Sequence, residues 1–244
     1  MKSVHFLSNS HQIDNIVKGL TLTRSLFVSS LLVGEEHIGK KTLIKSLFPN
    51  SIYIDAINYE ELEIALESNS ELIIYNFEKL LNFEQLNFEN KRIIAIANRI
   101  ENTEKIENKF AFIYRMPNLK EREDLDLLIK FFQNQIEKEL MFDYHVELDT
   151  TKLDLSENIK SLRASLYKEL IYKTITSKEI KNILEEYLYE NLDGNNAYRE
   201  NICLYEEPLL IAGLKKFKSQ LKLSAVLGLN RNTLRKKIQE HGLD

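Results

Sequence analysis

The sequence predicts an α/β domain built on a parallel sheet, then a small all-helical region and a C-terminal pair of short helices. Three observations predict this order. Short apolar runs alternate with helical periodicity up to about residue 136, which is typical of a parallel sheet with helices on both faces. Strand signals largely stop from about Glu137. A glycine turn then separates two short leucine-containing helical patterns between residues 221 and 238.

Composition narrows the class of protein. The chain has 244 residues and 43% hydrophobic content, enough for two compact units. Cys203 is the single cysteine, which excludes a disulfide framework or a cysteine-based metal cluster, and the five histidines show no ligand spacing. No apolar run has transmembrane length and the N-terminus lacks a signal-peptide pattern, so we expect a cytoplasmic protein without membrane contact.

Charge is distributed unevenly along the chain. Residues 208–244 contain eight Lys or Arg and two Asp or Glu, a net charge of +6, whereas the whole chain carries −4. Residues 1–207 therefore carry −10. A basic C-terminal segment on an acidic body favours a nucleic-acid-binding module at the C-terminus.

A glycine-rich loop follows the first predicted strand. Ile13, Ile16, Val17 and Leu20 predict a first helix, and the apolar run 26–33 predicts a buried strand. The next residues, Gly34-Glu-Glu-His-Ile-Gly39-Lys40-Lys41, match most of the phosphate-binding pattern G-x-x-x-x-G-K and precede a helical run, as that pattern requires.

This loop makes Gly34, Gly39 and Lys40 candidate nucleotide-binding residues, because backbone amides, a lysine and a helix N-terminus all favour phosphate. Lys41 occupies the position that usually carries Ser or Thr for Mg²⁺, and Thr42 comes one residue late. The alternative is an ordinary strand-to-helix turn with two glycines.

The remaining elements continue the alternation. Strands are predicted at 52–55, 72–75, 92–99 and 112–116, and helices at 59–66, 120–135, 159–172 and 177–189. In a phosphate-loop ATPase one strand ends in an acid that holds Mg²⁺, but strand 72–75 ends in Asn76-Phe77. Glu78 is expected to point elsewhere by strand alternation. The sequence therefore argues against ATP hydrolysis.

The C-terminal segment predicts a helix-turn-helix. Leu223, Val226 and Leu227 share one helical face, Gly228 allows reversal, and Leu229 fills the turn. A second helix then follows with Leu234 and Ile238 inward. Its N-cap and outward positions are the candidate DNA-binding residues: Asn230, Arg231, Asn232, Thr233, Arg235 and Lys236. We predict a linker at 193–205 and this module at 206–244, after a core at 1–136 and a helical lid at 137–192.

The order of these parts resembles the bacterial enhancer-binding proteins that activate sigma-54 RNA polymerase, which join a AAA+ domain to a Fis-type helix-turn-helix. The segment 32–40 resembles their phosphate loop, and the strand 92–99 with Asn98 is similar to their sensor I strand. The segment 116–125 is similar to Pro-Pro-Leu-Arg-x-Arg-x-Glu-Asp-Ile, and 155–162 to the lid motif Trp-Pro-Gly-Asn-Val-Arg-Glu-Leu, with Lys160 in place of the sensor II arginine. The segment 227–238 closely resembles the Fis recognition element.

The departures from that family concern the residues that hydrolyse ATP and contact the polymerase. Only residues 56–71 lie between the second and third strands, without the family's Gly-Ala-Phe-Thr-Gly-Ala loop. The acidic pair is Asn76-Phe77, the stretch before Phe112 is short for the arginine-finger helix, and no receiver domain is expected. The resemblance thus implies a degenerate core with an intact DNA reader.

The favoured hypothesis is a sequence-specific transcriptional regulator that binds double-stranded DNA as a homodimer through its C-terminal domain. The resemblance implies that the leading helix of this domain pairs the two chains. Three alternatives stay open. The core could be an active ATPase with Arg99 or Arg115 as the trans arginine; it could bind ATP without turnover; or the chain could dock on another AAA+ protein or on RNA polymerase. Asn98 and Lys160 complete, with Lys41 and Thr42, the candidate nucleotide-binding set.

Overall fold

The computed structural model describes residues 6–80, 83–100 and 103–243. The chain divides into two compact units, Met1–Thr174 and Ile175–Asp244. The first unit contains a parallel sheet of five described strands in the order β2-β3-β4-β1-β5. These strands are β1 Ser30–Val33, β2 Tyr53–Asp55, β3 Glu71–Tyr75, β4 Arg92–Ala97 and β5 Phe112–Arg115. None of the described helices is both long and apolar enough to cross a membrane.

The central strands of the sheet are buried on both faces, and successive side chains, which point in opposite directions, pack into two separate apolar clusters. Leu31 and Val33 pack into one apolar cluster, and Leu32 between them packs into the other. Strand β1 lies between β4 and β5, with Leu32 aligned with Ile96 and Tyr114. The carboxyl end of β1, where the glycine-rich loop begins, therefore lies between the carboxyl ends of β4 and β5.

Helices alternate with these strands in the first unit, and further helices form the second unit. They are α1 His11–Leu26, α2 Lys40–Leu47, α3 Tyr59–Ser68, α4 Thr103–Glu107, α5 Leu125–Glu139, α6 Ile159–Thr174, α7 Ser177–Asn191, α8 Ala197–Asn201, α9 Cys203–Phe217, α10 Gln220–Leu227 and α11 Arg231–Glu240. Most predicted strands and helices agree with these bounds within two residues. Part of the short stretch before Phe112, residues 101–102, lies outside the described residues.

Two predicted boundaries were wrong. The first strand begins at Ser30 and not at Leu26, because α1 runs through Leu26 and ends at Phe27 in a left-handed conformation (φ 51°). The helix predicted from Lys120 begins at Leu125, after a 3₁₀ turn at Leu119–Glu121. There the buried Arg122 guanidinium donates to the carboxylate of Asp124, which fixes an extended residue before the helix starts.

The helical region after the sheet begins with α5 and α6. Their buried leucines and isoleucines, such as Ile136 and Leu166, form a separate apolar cluster. Helix α6 ends where the first unit ends, so the predicted lid at 137–192 extends across the division and α7 belongs to the second unit. Helix α7 starts with a capping box between Thr176 and Glu179.

The predicted linker at 193–205 is mostly helical. Only a short turn around Gly194, which has a positive φ of 79°, separates α7 from α8. Helix α9 follows from Cys203, three residues before the predicted start at Glu206. The polar run 193–196 ends one helix and begins the next, because Asn196 takes the N-cap position of α8.

Candidate nucleotide pocket and nucleic-acid interface

The glycine-rich loop connects β1 to α2 as the sequence predicts. Gly39 precedes the helix with φ 100°, a conformation that residues with a side chain rarely adopt. A Cβ at this position would also lie 3.2 Å from the ring of Phe6 and 3.7 Å from Ile159. The loop backbone thus curves tightly at the N-terminus of α2, where amide groups favour an anion.

Lys40 lies inside this loop with only 6% of its side chain exposed. Its ammonium donates to the carbonyl oxygens of Gly34 and Glu35 and, over 3.0 Å, to Oδ1 of Asn98. Burial lowers the pKa of Lys40 to about 8, and the carboxylates of Glu78 and Glu36 oppose that shift. The group therefore remains largely cationic at pH 7.

Asn98 connects the loop to the end of β3. Its Oδ1 accepts from Lys40, and its Nδ2 donates to Glu36 over 3.0 Å and to Glu78 over 2.8 Å. The carboxylate of Glu78 also accepts from the backbone N–H of Asn98. The expectation that Glu78 points elsewhere was wrong. Asn76 adopts a left-handed conformation and a 3₁₀ turn follows, so strand alternation does not extend to Glu78.

The two residues in the family's acidic positions have other contacts. Nδ2 of Asn76 donates to both carboxylate oxygens of Asp55, over 2.9 and 2.8 Å. Phe77 is 3% exposed and its ring packs against Phe83 and Phe110. Neither side chain carries a charge for a metal ion or a basic group for a water molecule.

The start of α6 is hydrogen-bonded to the phosphate loop through Asn158, which is 3% exposed. Its Nδ2 donates to the carboxylate of Glu35 and to the carbonyl of Glu36, and its Oδ1 accepts from the N–H of Leu119. The N–H of Ile159 donates to the carbonyl of His37. The lid motif is therefore joined directly to the loop.

These elements enclose a cavity of about 560 Å³, a size in the range of small-molecule sites. Six of the seven predicted nucleotide-binding residues line it: Gly39, Lys40, Lys41, Thr42, Asn98 and Lys160. Gly34 instead lines a neighbouring cavity, and only its carbonyl reaches Lys40.

Several lining residues were not among the predicted nucleotide-binding set. Arg163 follows Lys160 by one helical turn on α6 and lines the same cavity, together with Glu36, His37, Ile96 and Ile159. The spacing of three residues from Lys160 is the sequence signal that could have identified Arg163. The neighbouring cavity, of about 620 Å³, is lined by Arg99 and Arg115 at the ends of β4 and β5.

The second unit contains the predicted helix-turn-helix. Gly228 ends α10 with φ 64°, and the N–H of Leu229 donates to the carbonyl of Ser224 across the turn. Leu223, Leu234 and Ile238 form the buried centre together with Leu210 of α9. Val226 was wrongly predicted to lie on this face. It is 61% exposed, and the small side chain of Ser224 is buried next to Leu223 instead.

The outer face of α11 is polar and basic. Arg231, Asn232, Thr233, Arg235 and Lys236 are exposed. Oδ1 of Asn230 accepts from the N–H of Asn232 over 2.9 Å, so this residue caps the helix as predicted. Lys236 lies 3.7 Å from Glu240 on the surface. Lys237 is directed inward and donates to Glu206 of α9.

Helix α7 has no buried residue. Its apolar side chains nevertheless recur at helical spacing on one side, with Ile180, Ile183 and Tyr187 each at least half exposed. An exposed apolar stripe of this kind is typical of a helix that packs against another chain.

Comparison with known proteins finds relatives of two kinds: an NtrC regulator and Fis-like DNA-binding proteins. No protein-family model matches the chain. The regulator NtrC of Rhizobium meliloti is 27% identical over 170 residues, covering 53% of this chain and 35% of NtrC. A Fis-like DNA-binding protein of Ralstonia nicotianae is 43% identical over 68 residues, covering 26% of this chain and 87% of that protein. A Fis-like protein of Neisseria meningitidis is 41% identical over 71 residues. The chain thus spans about a third of the length of NtrC.

Solved structures resemble the fold over nearly all of the chain. NtrX of Brucella abortus in complex with ADP has a TM-score of 0.51 at 15% identity, and its complex with ATP has 0.50 at 16%. Each covers 98% of this chain and 69% of NtrX. The predicted fold class is confirmed by this likeness and by the parallel sheet with its helices.

Proposed function

The chain belongs to the Fis-like DNA-binding proteins and is homologous to NtrC-type regulators, and on that basis we propose that it is a sequence-specific transcriptional regulator that binds double-stranded DNA through α11. The single observation that carries this proposal is the outer face of α11. Five polar or basic side chains from Arg231 to Lys236 are exposed there, directly after the glycine turn. This is the arrangement with which a recognition helix contacts a major groove.

The contacts follow from the chemistry of each side chain. Arg231 and Arg235 can each donate two parallel hydrogen bonds to a guanine edge or to phosphate, and Lys236 supplies a charge for phosphate. Asn232 and Thr233 offer shorter polar groups at the N-terminal end of the helix, which lies nearest the base edges in such complexes. Asn230 positions this end by capping it.

We propose that two copies pair through the second unit, Ile175–Asp244, which contains both α7 and the C-terminal domain. The exposed apolar stripe of α7 supports this, because Ile180, Ile183 and Tyr187 have no partner among the described residues that buries them. A two-fold dimer would read two half-sites about 34 Å apart, one helical turn of DNA.

The core is proposed to bind nucleotide without hydrolysing it. In favour of binding are the buried ammonium of Lys40, the tight turn at Gly39 and the four cationic side chains that line the cavity, from Lys40, Lys41, Lys160 and Arg163. These residues fit the phosphates of ATP, and Ile96 and Ile159 add apolar surface. Against turnover stand Asn76 and Phe77 in the positions of the acidic pair.

The proposed loss of polymerase remodelling has separate support. Helix α3 with short connections is the whole link between β2 and β3, at 56–70, and the sequence there contains no Gly-Ala-Phe-Thr-Gly-Ala loop. The chain would therefore act by where it binds on DNA, with bound nucleotide serving as a structural ligand or as a switch between states.

The DNA interface is tested with sites identified by genome-wide mapping of the bound protein. In fluorescence anisotropy, Arg235→Ala should weaken binding by about 1–3 kcal/mol, and Lys236→Ala should reduce the dependence on log salt by about one unit. Lys130→Ala is the matched control, since it removes an exposed lysine of α5 in the first unit, outside both α11 and α7. Equal affinity and salt dependence for all three variants would remove α11 as the interface.

ATP turnover is tested on the purified full chain with Mg²⁺. We expect phosphate release at background level. Glu78 is the carboxylate that accepts two hydrogen bonds from Asn98, next to Lys40. Hydrolysis that disappears in both Lys40→Ala and Glu78→Gln would therefore contradict the proposal. Asp149→Asn, at an exposed carboxylate away from the cavity, serves as control.

A further inference from the structure

The residues that hold Mg²⁺ in a phosphate-loop site have been replaced here. Such a site uses an oxygen-bearing side chain directly after the loop lysine and an acid at the end of a neighbouring strand, because Mg²⁺ prefers oxygen ligands. Lys41 and Asn76 occupy these two positions, and both line the cavity. One oxygen ligand has thus become a cation, and the other has become a neutral amide.

The carboxylates near the cavity do not make up for this loss. Both oxygens of Asp55 accept hydrogen bonds from Asn76. Both oxygens of Glu78 accept from Asn98, and Glu36 accepts from the same side chain. Among residues 6–80, 83–100 and 103–243, no group of three or more His, Cys, Asp or Glu is placed to hold a metal ion. Lys41 and Asn76 therefore do not fit Mg²⁺ as ligands, and the carboxylates nearest the cavity already accept hydrogen bonds from Asn76 and Asn98.

Cationic side chains are gathered where the metal ligands are lost. Lys40, Lys41, Lys160 and Arg163 line the cavity against the single lining carboxylate of Glu36. The ammonium of Lys41 lies 4.8 Å from the ring centre of Tyr75, in a cation–π contact at the end of β3. This contact holds a positive charge on the side of the cavity where Asn76 lies.

We propose that the cavity takes the polyphosphate of a nucleotide without a divalent metal ion, with Lys41 supplying positive charge to the phosphates. This inference rests on the proposed nucleotide binding and specifies its ligand as the metal-free form. Lys160 and Arg163 add charge from α6. A free nucleotide carries two more negative charges than its Mg²⁺ complex, so the cationic lining favours it.

The experiment is calorimetric titration of the full chain with ATP, once in EDTA and once in excess Mg²⁺. We expect binding in EDTA to be at least as tight as in Mg²⁺. Lys41→Glu should weaken the binding in EDTA by about tenfold or more, because it replaces an attractive charge with a repulsive one. Lys45→Glu makes the same charge change one turn further along α2, at an exposed residue outside the lining, and should leave the affinity nearly unchanged.

A double variant gives the converse test. Lys41→Glu with Asn76→Asp restores oxygen ligands at both positions, and we expect its ATP affinity to depend on Mg²⁺. Wild-type binding that requires Mg²⁺ would overturn the metal-free inference and leave nucleotide binding itself intact. Absence of ATP binding in both buffers would overturn both statements about the core, whereas the DNA interface of α11 is judged by its own assay.

Discussion

The phosphate-loop pocket and the proposed recognition helix, α11, both collect basic side chains, but they hold them differently. In the pocket, Lys40 is buried and donates to three oxygens of its own chain. On α11, Arg231 and Arg235 are exposed and, within the part of the chain that the structure describes, their side chains form no ion pair or hydrogen bond. A ligand of the pocket must replace existing contacts, whereas DNA needs to displace only water and counterions.

The two regions are also held in place by different kinds of contact. The outer face of α11 is supported from behind by an apolar cluster, in which Leu234 and Ile238 are fully buried. The pocket is supported by a polar network that runs from Lys40 through Asn98 to Glu78, and by Asn158 at the start of α6. Removing an apolar anchor and removing a polar one should therefore have different consequences.

The largest effect is expected from Leu234→Ala. This side chain is 0% exposed, and its loss creates a cavity that should lower the stability of the second unit by about 2–5 kcal/mol. Leu221→Ala is the matched control, because Leu221 is 63% exposed and its change should stay within about 0.5 kcal/mol. Denaturant unfolding followed by hydrogen exchange of α9–α11 measures both. Similar losses for the two variants would contradict the assignment of the apolar core.

A smaller effect is expected from Asn158→Gly. The substitution keeps the positive φ of 55° and removes the amide that serves Leu119, Glu35 and Glu36. The buried N–H of Leu119 is then unpaired, at a cost of about 1–3 kcal/mol to the first unit. Asn90→Gly is the control, since Asn90 has φ 54° and is exposed. If both glycine variants unfold alike in denaturant, the side chain of Asn158 contributes nothing.

A third comparison concerns the pH dependence of stability that Lys40 contributes. Burial lowers its pKa to about 8 in the folded chain, against 10.5 unfolded. Between these values the unfolded chain binds the extra proton, so stability rises with pH from about 8 towards 10.5. Lys40→Met abolishes this term. We expect the stability difference between wild type and variant to move in favour of wild type between those pH values in denaturant titrations. A constant difference would show that the ammonium is not desolvated.

Much of the fold could be predicted from the sequence because the patterns that indicate strands, turns and caps are local. Apolar runs of strand length, the turn at Gly228 and the cap at Asn230 depend on neighbouring residues, and the structure has them where predicted. The segment predicted as a linker, 193–205, is mostly helical in the structure, because a polar, glycine-containing run also suits a turn between two helices, and only packing distinguishes the two cases.

The pocket was predicted less completely for a related reason. Lys40 and Lys41 follow from a contiguous motif, but Arg163 reaches the cavity from α6, more than a hundred residues away. The direction of Glu78 depends on the left-handed conformation of Asn76, which strand periodicity does not contain. Asn158 lies in the lid motif, and its hydrogen bonds to the phosphate loop could be identified only once the position of that loop was known.

The sequence by itself determined the parallel α/β core, the phosphate-loop pattern and the basic outer face of α11, because each arises from residue types at fixed short spacings. Only the tertiary structure decided which groups meet in the pocket: that Glu78 joins Asn98, that Asp55 is taken up by Asn76, and that Lys41 lies over Tyr75. Those contacts join separate strands and helices. Hydrogen bonds and charge interactions depend on the distance between the groups in the folded chain, and that distance cannot be read from the order of the residues.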